Sequence, residues 1–163
     1  MTDALPAADL VKRCEADGLV IVTAESCTGG LVAAAITDVA GSSAVFERGY
    51  VTYSNEAKTE MLGVPAALIG RVGAVSEEVA IAMAEGALAR TTANLAVAIT
   101  GIAGPGGGSD QKPVGLVHFA AARRGATPLH VCRVFPDKGR RSIREAAVRE
   151  ALSLLEALGA ARA

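Results

Sequence analysis

Two short apolar runs constrain this chain more than any other feature. "LVIVTA" (Leu19 to Ala24) and the apolar part of "NLAVAIT" (Asn94 to Thr100) are too short for helices and rich in branched residues. Such runs predict strands buried on both faces, as in a sheet with helices packed above and below. Each run empties into small, polar residues: "SCTGG" after the first and "GIAGPGGGSDQKP" after the second.

The segments between them alternate helix and strand signals. An amphipathic helix is expected near Ala7 to Asp17, stopped by Gly18, and a small-residue helix over Leu31 to Ala40, ended by Gly41. "VFERGYVTY" reads as a strand running into a helix that contains Lys58; Pro65 and a short connector follow. Ser76 caps a helix with Glu77 and Glu78 in its first turn. "VGLVHFAAA" and "PLHVCRVF" are two consecutive strands that pair across a turn at Arg124 and Gly125, and a last helix runs from about Lys138 to Leu158. Alternating elements predict an α/β fold, and the consecutive late strands require an antiparallel step, so the sheet is mixed. With 51% hydrophobic but only 3% aromatic residues, its core must be aliphatic.

The 163 residues suit one domain with a substantial core, and the extreme termini are expected to fray. A net charge of −1 gives no footprint for nucleic acid. The three cysteines are widely spaced, which argues against a zinc site or disulfide framework and fits a reducing cytosol. His118 and His130 lie in apolar strand-like runs and read as packed residues rather than ligands. "MTDALPAADL" has neither the basic nor the apolar region of a signal peptide, and no apolar run approaches a membrane span. The expectation is a cytoplasmic protein with no membrane and no nucleic-acid partner.

In open α/β sheets, ligands bind beyond the carboxyl ends of the parallel strands, and the unusual small polar residues fall there. The glycine-rich loop has no GK[ST] and misses G-x-G-x-x-G, because Ser109 stands where the last glycine is needed. It reads either as a surface loop or as a nest of backbone amides for an anion, a job that Gly29 and Gly30 also suit. Arg140 and Arg141 crowd a helix start already positive by its dipole, which makes sense opposite a phosphate. Ser26, Ser42 and Ser43 all sit in loops. Cys27, beside a helix start, could have a lowered pKa, but no general base is evident for it. Lys58 is the sharper feature. In "VTYSNEAKTEM" it sits one turn inside a helix, where dipole and burial both disfavour its charge. A neutral lysine there can take a proton from a serine hydroxyl, and Tyr53 could relay it.

"TAESCTGG", "AGSSAVFERGYVTYSNEAK", "GAVSEEVA" and "ITGIAGPGGGSDQKPVGLV" together resemble the C-terminal domain of the competence/damage-inducible protein CinA, over about Leu5 to Leu158. Stand-alone members of that family are known as nicotinamide mononucleotide deamidases. The resemblance implies a three-layer α/β/α sandwich with a mixed, mostly parallel sheet, forming a single domain over residues 1–163. The chain is expected to lack the molybdopterin-binding-like N-terminal domain of full-length CinA. It implies hydrolysis of the carboxamide of nicotinamide mononucleotide to nicotinate mononucleotide and ammonia, in pyridine nucleotide salvage. No cofactor and no metal are implied. The family's Ser-Lys-Tyr set maps onto Ser43 as nucleophile, Lys58 as base and Tyr53 as proton relay. Ser26, Thr100 and Arg140 match other polar site positions. Oxyanion donors are expected among the amides near Ser26, Thr28 and Gly29, or near Ser43. The phosphate is expected against Arg140 and the Gly101–Gly104 turn of the glycine loop. A homodimer is expected. The competing reading is a non-catalytic nucleotide-binding or regulatory module using the same loop and Arg140.

Overall fold

In a computed structural model, the structure describes residues 7–161. The readings made of Met1–Pro6 and of the last two residues, fraying included, lie outside that range. The elements follow in the order α1 (Ala7–Asp17), β1 (Ile21–Glu25), α2 (Leu31–Thr37), a short 3-10 turn (Ser42–Ala44), β2 (Phe46–Val51), α3 (Asn55–Leu62), α4 (Ala66–Val72), α5 (Glu77–Ala89), β3 (Leu95–Gly101), β4 (Leu116–Arg123), β5 (Leu129–Val134) and α6 (Arg140–Ala160).

The sheet order is β2-β1-β3-β4-β5. β1 pairs parallel with β2 and with β3, while β4 is antiparallel to both β3 and β5. Four strands therefore point one way and only β4 is reversed: the sheet is mixed and mostly parallel. The two central runs behave as their sequences require, with all of β1 buried and all of β3 as far as its final glycine.

Side-chain alternation divides the core into two unequal halves. Ile21, Leu95, Val97, Ile99, Val117 and Phe119 face α1, α2 and α6. Ala24, Ala96, Ala98, Ala120 and Ala122, with Val22, face α5. The small residues let α5 lie close to the sheet. Close packing continues between helices: a Cβ on Gly86 of α5 would lie 2.0 Å from the Leu62 carbonyl oxygen of α3.

Two boundaries differ from the sequence reading. The connector after Pro65 is a helix, α4, whose Ile69 is buried in the same half of the core as α5. Apolar packing of Leu68, Ile69 and Val72 overrides the cost of Gly70 within it. Helix α2 ends at Thr37 rather than Ala40; the Thr37 hydroxyl donates back to the Ala33 and Ala34 carbonyls. Among the described residues, no helix is long and apolar enough to cross a membrane.

Candidate active site

The carboxyl ends of β1, β2 and β3 lie along one edge of the sheet, and three loops meet there. Each loop carries part of a site.

The first is the turn Ser26–Gly30 between β1 and α2. Glu25, fully buried, anchors it from below. Its carboxylate accepts from the amides of Val32 (2.8 Å) and Ala33 (3.1 Å), filling the first turn of α2 with a negative charge. The Arg144 guanidinium holds the turn from the side, donating to the carbonyls of Cys27 (3.0 Å) and Thr28 (3.2 Å). Gly29 has φ +59°, and a Cβ on it would press against the Arg144 Nη2 atom at 3.3 Å. Among the described residues, the amides of Cys27 and Thr28 donate to no carbonyl or carboxylate.

The second loop joins β2 to α3. Ser54 caps α3, its hydroxyl accepting from the Ala57 amide at 3.0 Å. That fixes Lys58 on the inner face of the helix, where it is only 1% exposed. Its Nζ lies 3.1 Å from Ser26 Oγ. It also donates to the carbonyls of Thr52 (3.0 Å), Tyr53 (3.4 Å) and Ser54 (3.5 Å). Among the described residues, no carboxylate pairs with it. Burial without a counter-ion lowers the pKa of Lys58; a Cys27 thiolate would oppose this. Burial pushes the Cys27 thiol up to about 11, so Cys27 stays protonated at neutral pH. The lowered cysteine pKa entertained from sequence is therefore not found: the side chain is buried, and desolvation outweighs the helix start.

The third loop follows β3. Here Arg140, the first residue of α6, donates to the Gly104 carbonyl (2.8 Å) and to the Tyr53 hydroxyl (2.6 Å). Among the described residues, the amides of Ala103, Gly104, Gly106 and Gly107 have no acceptor. A hollow of about 240 Å³ lies between the loops, lined by Ser26, Cys27, Tyr53, the Gly101–Gly104 turn, Gly106, Gly107 and Arg140. A larger hollow, about 420 Å³ between α3 and α4, is lined by Asn55, Glu56, Thr59 and Glu60 and includes neither Ser26 nor Lys58.

The structure thus brings together Ser26, Lys58, Tyr53, Gly101, Gly104 and Arg140. It does not bring Ser43 to them. Ser43 sits, exposed, in the turn before β2, at the amino end of that strand. Six strand residues separate that turn from the loop leading to Lys58 on α3, a span of about 20 Å. The expectation that Lys58 faces Ser43 is not met. Tyr53 lines the hollow and is 57% exposed, but its hydroxyl is on Arg140, and only its carbonyl meets Lys58. The Thr100 hydroxyl is spent on the Ala74 carbonyl at 2.9 Å, tying β3 to the segment before α5. Thr28 is fully buried, and among the described residues its hydroxyl has no partner. Sequence reasoning missed Glu25 and Arg144. Glu25 had a signal, as a carboxylate closing an otherwise buried strand. Arg144 had another: it lies one helical turn after Arg140, on the same face.

These features define a three-layer α/β/α protein with a buried serine–lysine pair at the carboxyl edge of its sheet, beside a loop of unpaired amides. The chain belongs to the CinA C-terminal domain family, whose model matches residues 4–158. It is 61% identical over 108 residues to an Escherichia coli protein named nicotinamide-nucleotide amidohydrolase PncC, covering 66% of each chain. A CinA-like protein of Akkermansia muciniphila is 57% identical over 136 residues, 83% of this chain and 33% of that protein. The chain thus spans about a third of that relative's length. Among solved structures, the competence/damage inducible protein CihA of Agrobacterium tumefaciens superposes with a TM-score of 0.88 at 54% identity, covering 93% of this chain and 94% of the other. A CinA superfamily protein of Klebsiella pneumoniae gives 0.91 at 36%, covering 98% and 99%.

Proposed function

We propose that this protein hydrolyses the carboxamide of nicotinamide mononucleotide, releasing ammonia and nicotinate mononucleotide, with Ser26 as nucleophile and Lys58 as its base. The observation that carries the proposal is the contact of 3.1 Å between the buried Lys58 Nζ and Oγ of Ser26, which lines the hollow. The name of the Escherichia coli relative supports the reaction and substrate.

Neutral Lys58 accepts the Ser26 proton while its two remaining N–H bonds point to backbone carbonyls. Ser26 Oγ attacks the carboxamide carbon. The developing oxyanion meets the unpaired amides of Cys27 and Thr28. The Lys58 ammonium returns its proton to the departing nitrogen, because ammonia leaves and the amide anion does not. Water, activated by the same lysine, then releases the acyl group from Ser26.

The 5′-phosphate sits against Arg140 and the free amides of the glycine loop. The first turn of α2 is closed to it, because Glu25 already occupies those amides. In this reading Tyr53 acts by holding Arg140 and offering its ring to the substrate, and its hydroxyl carries no proton for the reaction. The decisive assay is ammonia release from nicotinamide mononucleotide by wild type, Ser26→Ala and Ser43→Ala. Loss in the first variant with retention in the second is expected; the opposite pattern overturns the assignment.

A further inference from the structure

A second polar cluster lies outside the site, on the α5 side of the sheet at β4 and the edge strand β5. His118 and Cys132 are cross-strand partners, and His130 lies two residues before Cys132 on the same face. His118 Nδ1 and His130 Nε2 are 2.9 Å apart. The ring centroids lie 5.1 Å apart with planes inclined by only 23°, so the rings meet edge to edge through this bond rather than face to face. Beyond them, His130 Nδ1 lies 3.7 Å from Glu77 Oε2. On the near side, His118 Nε2 lies 3.9 Å from Cys132 Sγ. One choice of tautomers serves every contact. With both neutral rings protonated at Nδ1, His130 Nδ1–H faces Glu77 Oε2 across 3.7 Å, an electrostatic contact longer than a hydrogen bond, and His130 Nε2 accepts from His118 Nδ1–H, which leaves the His118 Nε2 lone pair facing the thiol.

We propose that Cys132 is a reactive thiol, served by His118 as base and oriented through His130 and Glu77, that exchanges with low-molecular-weight disulfides. The thiol proton passes to His118 Nε2 and the sulfur attacks one sulfur of the disulfide. The disulfide bond breaks, and the departing thiolate recovers the proton from His118. The products are a mixed disulfide on Cys132 and one free thiol, so electrons and protons balance.

Three observations support this assignment. Cys132 is exposed, whereas Cys14 and Cys27 are buried, so only one thiol is open to a disulfide. The cluster has the nucleophile, base and orienting group in sequence that an activated nucleophile requires. Burial lowers the pKa of His118, aided by His130 and Lys112 against the opposing charges of Glu77 and Glu78, so its imidazole is neutral at pH 7. A metal site fits less well. Two of the ring nitrogens are spent on each other, and only His118 Nε2 and Cys132 Sγ converge, too few for a tetrahedral ion.

The test uses dithiodipyridine as the disulfide, with its released thiol followed by absorbance and the modified peptide identified by mass. One thiol per chain should react in a fast phase that maps to Cys132 and vanishes in Cys132→Ser. His118→Asn and His130→Asn should each slow that phase at pH 7 by about tenfold or more, with the fold intact by circular dichroism. In wild type the rate should fall as pH drops through the lowered range of His118; in His118→Asn that inflection should be gone. If His118→Asn does not fold, His130→Asn and Glu77→Gln carry the same comparison. Equal rates in wild type and the histidine variants, or modification mapping to Cys14 or Cys27, would overturn the proposal.

Discussion

Replacing Lys58 by methionine separates what this residue does for catalysis from what it does to the fold. Lys58 is 1% exposed, and its ammonium has backbone carbonyls and one hydroxyl around it and, among the described residues, no carboxylate. Its folded pKa is lowered by burial from the ordinary value near 10.4. Below the folded pKa, both the folded and unfolded chains carry the charge, and the burial penalty is fully present. Between the folded pKa and about 10.4, the folded chain has lost its proton and the unfolded chain has not, so stability rises with pH. The rise amounts to about 1.36 kcal/mol for each unit by which the pKa is lowered. Lys58→Met has no such term. Chemical denaturation of both proteins from pH 6 to pH 10 should therefore show wild type gaining stability relative to the variant as pH climbs. Over the same range, kcat for ammonia release should rise along a limb centred below the ordinary lysine range, and the variant should lose about 10²–10⁴-fold in rate. A stability difference that stays flat with pH would refute the burial argument. A limb at the ordinary lysine pKa would refute the role of neutral Lys58 as base.

Other substitutions probe the supports of the pair. Arg144→Ala removes the donors to the Cys27 and Thr28 carbonyls; kcat should drop about tenfold or more with little change in KM, and Arg144→Lys should recover part of it. Arg140→Ala should instead raise KM for the mononucleotide and leave the rate on the phosphate-free riboside nearly unchanged, which steady-state kinetics on both substrates will show. Tyr53→Phe should keep kcat within a few-fold, because the phenol lies on Arg140 and away from Lys58; a collapse of kcat would restore the proton-relay role. Gly86→Ala places a methyl 2.0 Å from the Leu62 carbonyl oxygen, and thermal unfolding should register a loss of about 1–3 kcal/mol.

The sheet was legible because its two central strands are buried on both faces and carry that fact in their composition. The caps of α3 and α5 were legible for a local reason too, since a serine accepts from an amide three residues on. Helix α4 was not, because Gly70 and the short span after Pro65 read as a connector, and packing against α3 and α5 makes seven such residues a helix. The choice between Ser26 and Ser43 shows a different limit. Both lie in small-residue loops and no local property separates them. Strand polarity does: Ser26 follows β1 and Ser43 precedes β2, and in parallel strands the two positions fall at opposite edges. Lys58 follows β2, so it shares an edge with Ser26. The assignment taken from resemblance did not use that argument.

In the proposed mechanism, the environment of Lys58 would let one residue serve as base and then as acid without rearrangement. Charged, its three N–H bonds find Ser26 Oγ and the carbonyls of Thr52 and Tyr53. Neutral, it keeps the two carbonyls and turns its lone pair on the Ser26 hydroxyl, which becomes the donor. The same four atoms satisfy both states, so transferring the proton requires no motion of α3. The two states differ in desolvation, which disfavours the charge, and in carbonyl dipoles, which favour it. A carboxylate in place of one carbonyl would favour the ammonium strongly and hold Lys58 in its acid form at neutral pH. Glu25, the carboxylate next to Ser26 in the chain, is instead committed to the amides of Val32 and Ala33. Its burial under α2 orders the Ser26 turn and leaves the lysine without a counter-ion.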